Sequence, residues 1–167
     1  MSSRAQRHLL REYQQLQRDP IPGISVGLLN DSLFSWKILI QGPPDSPFES
    51  GLFRAILTFP DDYPDKPPKL KFTSSVFHPN VFTDGAVCIS ILHAPGDDPN
   101  AYEDRSERWL PVHSASSVIV SVQSMLAEPN CESPANVDAA KIFRNDQVEY
   151  KKRVKKCVRL SLEDDEE

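Results

Sequence analysis

The chain moves between two hydrophobic rhythms. From residue 3 to residue 18, Ala5, Leu9, Tyr13 and Leu16 recur at helical spacing. Ser2 or Ser3 stands where an N-cap belongs, and Asp19-Pro20 ends the pattern. The period then shortens to two. Residues 24–29 form a short apolar run, and residues 33–41 place Phe34, Trp36, Ile38 and Ile40 on one face. Residues 51–59 alternate through Phe53, Ala55, Leu57 and Phe59, and residues 69–73 turn Leu70 and Phe72 inward. The connections are a turn at Asn30-Asp31-Ser32 and two proline-bearing loops, 42–50 and 60–68. None carries a helical pattern, so the four strands are expected to form an antiparallel meander.

The helical period returns after residue 113. Ser114 or Ser116 can cap a buried helix running to about Ala127, with Val118, Ile119, Val122, Met125 and Leu126 as its stripe. Ser133-Pro134 reads as an N-cap and N1 proline opening a short helix to about Phe143. Asn145 is expected to cap a last helix whose apolar positions are Val148, Val154, Cys157, Val158 and Leu160. One helix, four strands and three further helices predict an α+β fold with helices segregated from the sheet. The chain shows no repeat and no linker, so residues 1–162 are read as one domain, followed by a short acidic tail at 163–167.

Only residues 78–109 fit neither rhythm, and a loop of that length in a compact domain is usually functional or disordered. Prolines number 15, but they cluster in specified loops rather than forming a low-complexity tract. Net charge is −5, yet five of the acids close the chain, leaving 19 acidic against 19 basic residues elsewhere. That balance argues against a nucleic-acid partner, which usually brings a basic excess. Arg4, Arg7, Arg11 and Arg18 against Glu12 give the first helix a basic outer face. No apolar run approaches a membrane span, so direct membrane insertion is not expected and a membrane role would come through a partner. Three dispersed cysteines form neither a disulfide framework nor a metal pair, which places the chain in a reducing, cytoplasmic setting.

Chemistry concentrates in the irregular stretch. Cys157 lies on an apolar helix stripe and reads as packing, and Cys131 as an accessible surface thiol. Cys88 sits in a Gly-flanked loop beside donors and acceptors, where a thiolate could act as nucleophile. His78 and His93 are its candidate partners, although His78 beside Pro79 equally suits a loop-holding role. Cys88, His78, His93 and His113 lack a tight ligand pair, so no metal is expected. The side-chain amide of Asn80 is a neutral donor able to stabilise an oxyanion or to brace the loop. A thiol, an amide and carboxylates without a dedicated base suit acyl carriage better than peptide hydrolysis.

His78-Pro79-Asn80, seven residues, then Cys88 resembles the signature of ubiquitin-conjugating enzymes. Around it stand Gly42-Pro43-Pro44-Asp45-Ser46-Pro47-Phe48, Phe59-Pro60-Asp61-Asp62-Tyr63-Pro64, Lys66-Pro67-Pro68, Trp109-Leu110-Pro111 and Glu128-Pro129-Asn130. The ordered set covers about residues 4–161 and implies the ubiquitin-conjugating fold. Cys88 and Trp109 are 21 positions apart, and Gly96-Asp97-Asp98-Pro99-Asn100-Ala101-Tyr102-Glu103 resembles the acidic insertion of the G-type (yeast Ubc-seven-like) and Cdc-thirty-four-like enzymes. The stretch 89–98 resembles most the G-type that serves endoplasmic-reticulum-associated and proteasomal degradation.

By that resemblance, Cys88 would accept ubiquitin as a thioester from the activating enzyme and pass it to lysine with a RING-type ligase. Asn80 would share the catalytic role, with His78, Pro79, His93, Asp97 and Asp98 supporting the loop. Arg7, His8, Arg11, Pro64, Asp65, Lys66 and Pro111 would meet the activating enzyme and the ligase, while Ser25, Leu39 and Gln41 would form a backside site. No cofactor is expected, since ATP is consumed upstream by the activating enzyme, and the chain is read as a monomer. Ser90 and Ser133 depart from the acids common in relatives, which shifts lysine activation to Asp97, Asp98 or Glu132. Asp65 replaces an apolar residue common at the ligase loop. Three alternatives stay open: a non-catalytic ubiquitin-binding scaffold, a carrier of another ubiquitin-like modifier, and a cysteine hydrolase, the last disfavoured for want of a placed base.

Overall fold

The computed structural model describes residues 3–94 and 108–163. Helix α1 (Arg4–Arg18) leads into strands β1 (Ile24–Leu29), β2 (Ser32–Gln41), β3 (Leu52–Thr58) and β4 (Lys69–Phe72). Helices α2 (Ala115–Ala127), α3 (Val137–Asn145) and α4 (Gln147–Glu163) complete the chain. The sheet runs β1-β2-β3-β4 with every neighbouring pair antiparallel, the expected meander.

Alternation decides which face is core. Trp36, Ile38 and Ile40 of β2, with Phe53, Ala55 and Leu57 of β3 and Leu70 and Phe72 of β4, are buried against Val118, Ile119 and Val122 of α2. Each large apolar side chain removed from water in this layer contributes about 1.5–3 kcal/mol. Trp36 is completely buried and donates its indole N–H to Leu33 O at 2.8 Å, which satisfies its one polar atom. Ser3 and Ser114 cap α1 and α2 through capping boxes, so Ser114, not Ser116, starts α2.

The last two helices differ from expectation. Helix α3 begins at Val137 with Asn136 as its cap, rather than at Ser133-Pro134. The cause is tertiary: the N–H groups of Ala135 and Asn136 donate to Pro79 O at 2.8 and 3.0 Å, holding 133–136 out of the helix and against another loop. In α4 the first turn is capped by Asp146, whose Oδ1 accepts from Glu149 N at 3.1 Å, not by Asn145. Its buried stripe is Tyr150, Val154, Cys157 and Ser161, whereas Val148 is 80% and Leu160 39% exposed. Ser161 Oγ accepts the N–H of Leu52 at 3.0 Å and donates to Val158 O, so a polar residue in the buried stripe ties α4 to the start of β3.

Candidate functional site

Two isolated bridges, Lys71 with Ala86 and Val81 with Val87, fold residues 81–87 into a narrow loop beside β4. Asp84 Oδ1 accepts Ala86 N at 3.0 Å, and Gly85 turns the chain with φ +100°. A Cβ at Gly85 would lie 2.1 Å from Phe72 O, so glycine alone fits this turn. The loop returns so that Cys88 N–H donates to Asn80 O at 2.9 Å, which fixes the cysteine backbone beside Asn80.

His78, Pro79 and Asn80 each reach a different part of the helical half. His78 is fully buried; its Nδ1 accepts Asn80 N–H at 2.9 Å, so the proton sits on Nε2, which donates to Met125 O at 2.7 Å. Burial pulls its pKa down to about 4, outweighing the opposing effect of the Met125 carbonyl, and the ring is neutral near pH 7. Pro79 O takes the two N–H groups before α3, as described above. Asn80 is 3% exposed; its Nδ2 donates to Asn130 O at 2.8 Å and its Oδ1 accepts Asn130 N–H at 2.9 Å. One of the two Nδ2 hydrogens is left over from that pairing.

The thiol of Cys88 is half-buried, and its Sγ lies 3.5 Å from His93 Nε2. A 3-10 turn over Ser90–Leu92 produces that approach by bending the chain back within one turn, with His93 N–H donating to Ser90 O at 2.9 Å. Trp109 N–H then donates to His93 O at 3.0 Å, and the buried Arg108 donates to Ala94 O at 3.0 Å. Residues 94 and 108 are thereby closed into a neck. Asp97 and Asp98 belong to the acidic insertion and lie outside the described residues. Ser90 is half-buried and Ser133 exposed. Among the described residues no group of three His, Cys, Asp or Glu side chains could hold a metal.

The other two thiols stand apart from this arrangement. Cys157 is buried on α4, 4.0 Å from Ser75 Oγ. Cys131 is half-buried rather than freely accessible, and burial pushes its pKa up despite the nearby Arg144.

The residues expected to meet partners converge at the far end of α1. Arg7 and Arg11 are exposed and His8 half-buried. Arg4 pairs with Asp65 at 3.2 Å and Lys66 with Asp62 at 3.9 Å, both pairs exposed and so worth little to stability. Pro64 is buried and cannot itself touch a partner; its carbonyl accepts the indole N–H of Trp109 at 2.8 Å, joining the 60–68 loop to Leu110, Pro111 and Val112. Val112 is 85% exposed. The residue that sequence reading missed here is Glu12. Its Oε1 accepts Ala115 N–H at 2.7 Å and its Oε2 accepts Tyr63 OH at 2.7 Å, with His8 Nε2 3.5 Å away. One carboxylate thus joins α1, the 60–68 loop and the N-terminus of α2, where negative charge is favoured. Its lone acidic position within a basic helix face was the only sequence signal. On the sheet, Ser25 pairs with Leu39, and Gln41 follows on the outward face, opposite Ile38 and Ile40.

This geometry offers a thiol at a loop edge with one imidazole in reach. The second imidazole is buried, neutral and committed at both nitrogens, so it cannot serve as a base. Comparison with known proteins agrees with acyl carriage. A family profile described as "Ubiquitin-conjugating enzyme" matches residues 8–158. Ubiquitin-conjugating enzyme E2 15 of Schizosaccharomyces pombe is 55% identical, covering 98% of this chain and 99% of its own. Ubiquitin-conjugating enzyme E2 7 of Arabidopsis thaliana is 52% identical over 98% of this chain and 99% of its own. Ubiquitin-conjugating enzyme E2 G2 of Homo sapiens is 53% identical over 97% and 99%.

Proposed function

The chain belongs to the ubiquitin-conjugating enzyme family, of the G-type, and from that premise we propose that Cys88 is the residue that carries ubiquitin. The observation that carries this is the half-buried Cys88 thiol at the edge of the loop that His78, Pro79 and Asn80 anchor. The Cys88 thiolate attacks the thioester carbonyl presented by the activating enzyme, forms the new S–C bond and expels the activating enzyme's thiolate. An acceptor lysine amine then attacks the same carbonyl, the C–S bond breaks, the Cys88 thiolate leaves, and the amine loses its proton.

Asn80 serves both steps from a fixed position. Its pairing with Asn130 orients the amide, and the remaining N–H is free to donate to the oxyanion of the tetrahedral intermediate. With Ser90 and Ser133 carrying no charge, Asp97 and Asp98 are assigned to the approach of the acceptor lysine, with His93 beside the thiol. The α1 face with Asp65, Lys66, Leu110, Pro111 and Val112 receives the activating enzyme and a RING-type ligase in turn. The outer face at Ser25, Leu39 and Gln41 is assigned to backside contacts. We place the enzyme, as a monomer without a cofactor, in the cytoplasm, where G-type enzymes serve degradation at the endoplasmic reticulum.

One assay tests the core of this reading. Incubation with activating enzyme, ATP and ubiquitin should give a gel adduct that reductant removes and that Cys88→Ala abolishes. Loading of another modifier but not ubiquitin would overturn the substrate assignment. Asp97→Ala with Asp98→Ala should slow chain formation while leaving loading intact; an unchanged chain rate removes those two residues from the scheme.

A further inference from the structure

The outer face of α4 carries five exposed cations, Lys151, Lys152, Lys155, Lys156 and Arg159, and nothing in the thioester chemistry uses it. Tyr150, Val154, Cys157 and Ser161 anchor one side of the helix in the core. On the opposite side Val148, Lys152, Lys155, Arg159 and Leu162 follow one another at spacings of three and four, flanked by Lys151 and Lys156. All seven are exposed. Arg153 is engaged separately, with Glu149 at 2.8 Å and over the Phe77 ring. The other five cations have no acidic partner within ion-pair distance among the described residues. They span residues 151–159, about 12 Å of helix, held rigid by the buried stripe behind them.

We propose that this face docks on an anionic lipid bilayer. Four of the five cations are lysines, compact hydrated point charges that suit a diffuse anionic surface; a bidentate phosphate reader favours arginine. The one aromatic residue of α4, Tyr150, is buried, so the face has no platform on which bases of a single-stranded nucleic acid could stack. Val148, 80% exposed, and Leu162, 53% exposed, mark the two ends of the same stripe and can enter the headgroup region while the lysines meet lipid phosphates. The helix lies on the surface and does not insert, since no described helix is long and apolar enough to cross a membrane. The partner surface stays accessible: α4 packs on α3 and β3, whereas α1 packs on β2 and α2. Such docking is separate from recruitment by a protein partner.

The test is co-sedimentation of the full chain with vesicles of phosphatidylcholine alone or mixed with phosphatidylserine. Binding is expected only to the mixed vesicles, to weaken as salt rises, and to fall about fivefold per lysine replaced by glutamine. The combination Lys151→Glu, Lys152→Glu, Lys155→Glu and Lys156→Glu should abolish it, while the corresponding four arginine replacements retain it. Thioester loading and the thermal midpoint are read on every variant; if the charge-reversed chain is unfolded, the single glutamine replacements decide. Replacing Asp164, Asp165, Glu166 and Glu167 by their amides should leave vesicle binding equal or tighter. Equal binding to neutral vesicles, retention by the charge-reversed chain, weaker binding by the amide variant, or binding to single-stranded RNA without binding to vesicles would each overturn the proposal.

Discussion

The side-chain amide of Asn80 forms a two-way pair with the backbone of Asn130, giving one hydrogen bond at 2.8 Å and receiving one at 2.9 Å. An amide can do both at once because it carries a donor N–H and an acceptor oxygen side by side on one planar group. The same residue holds Cys88 through its own carbonyl, so the connection after α2 positions the thiol through a single intermediary.

Replacing Asn80 separates bracing from donation. Asn80→Ala removes both hydrogen bonds and strands the Asn130 groups, at a cost of about 1–3 kcal/mol. Asn80→Asp keeps the acceptor but sets a carboxylate oxygen against Asn130 O, and should destabilise more. Under the proposed role both variants load ubiquitin but discharge to free lysine slowly in single-turnover assays. If discharge matches the parent once stability is restored by lower temperature, Asn80 is a brace only.

His78 should give the enzyme an acid sensitivity. Its folded pKa of about 4 lies below the unfolded value of about 6.5. Between those values the unfolded chain binds the extra proton, so this contribution to stability is full above about pH 6.5 and is lost as pH falls toward 4. Denaturant titrations from pH 7 to pH 4 should show a slope of stability against pH that shrinks in His78→Gln by up to a few kcal/mol over the range. An unaltered slope would assign the acid loss to other groups.

Glu12→Ala should be among the more damaging changes on α1. It leaves the N–H of Ala115 and the hydroxyl of Tyr63 without their charged acceptor, and hydrogen bonds to ionised groups contribute about 1.5–3 kcal/mol each. Tyr63 is deeply buried, and burial followed by the Glu12 charge holds its pKa far above the usual phenol value, so the hydroxyl stays a donor. Thermal unfolding should show the loss, with Glu12→Gln intermediate because one oxygen acceptor survives. A melting temperature equal to the parent's would contradict the assignment.

Gly85→Ala should abolish the turn that returns the chain to Cys88. At φ +100°, with Phe72 O 2.1 Å from the new Cβ, the loop must move. We expect a loss of at least about 2 kcal/mol, combining clash and backbone strain, and poor thioester loading measured at saturating activating enzyme. Normal loading would show that the 81–87 loop does not position the thiol.

His93 next to Cys88 predicts a kinetic effect. A ring nitrogen at 3.5 Å is within reach to take the thiol proton as the sulfur attacks. His93→Ala should slow alkylation of Cys88 by iodoacetamide near neutral pH several-fold, read by mass spectrometry against Cys131 as an internal reference. Equal rates would make the contact incidental.

Much of this protein was legible as periodicity. The strand positions of Trp36, Ile38, Ile40, Phe53, Ala55 and Leu57, and the stripe of α2, depend on spacing that local chemistry and burial enforce together. The sequence alone therefore specified the helix, the four-stranded meander, the three helices after it, and the loop in which Cys88 stands, since strand alternation, capping serines and an unsuited irregular stretch are local properties. The tertiary structure decided the rest. Asn136 rather than Ser133 caps α3 because Pro79 O, more than fifty residues away, takes the preceding N–H groups. Val148 lies on the outer face of α4 because Tyr150 and Ser161 win the buried side. Glu12 joins three elements, and Asn80 finds Asn130, through contacts whose partners are distant in sequence, and a hydrogen bond between remote segments leaves no periodic trace in either.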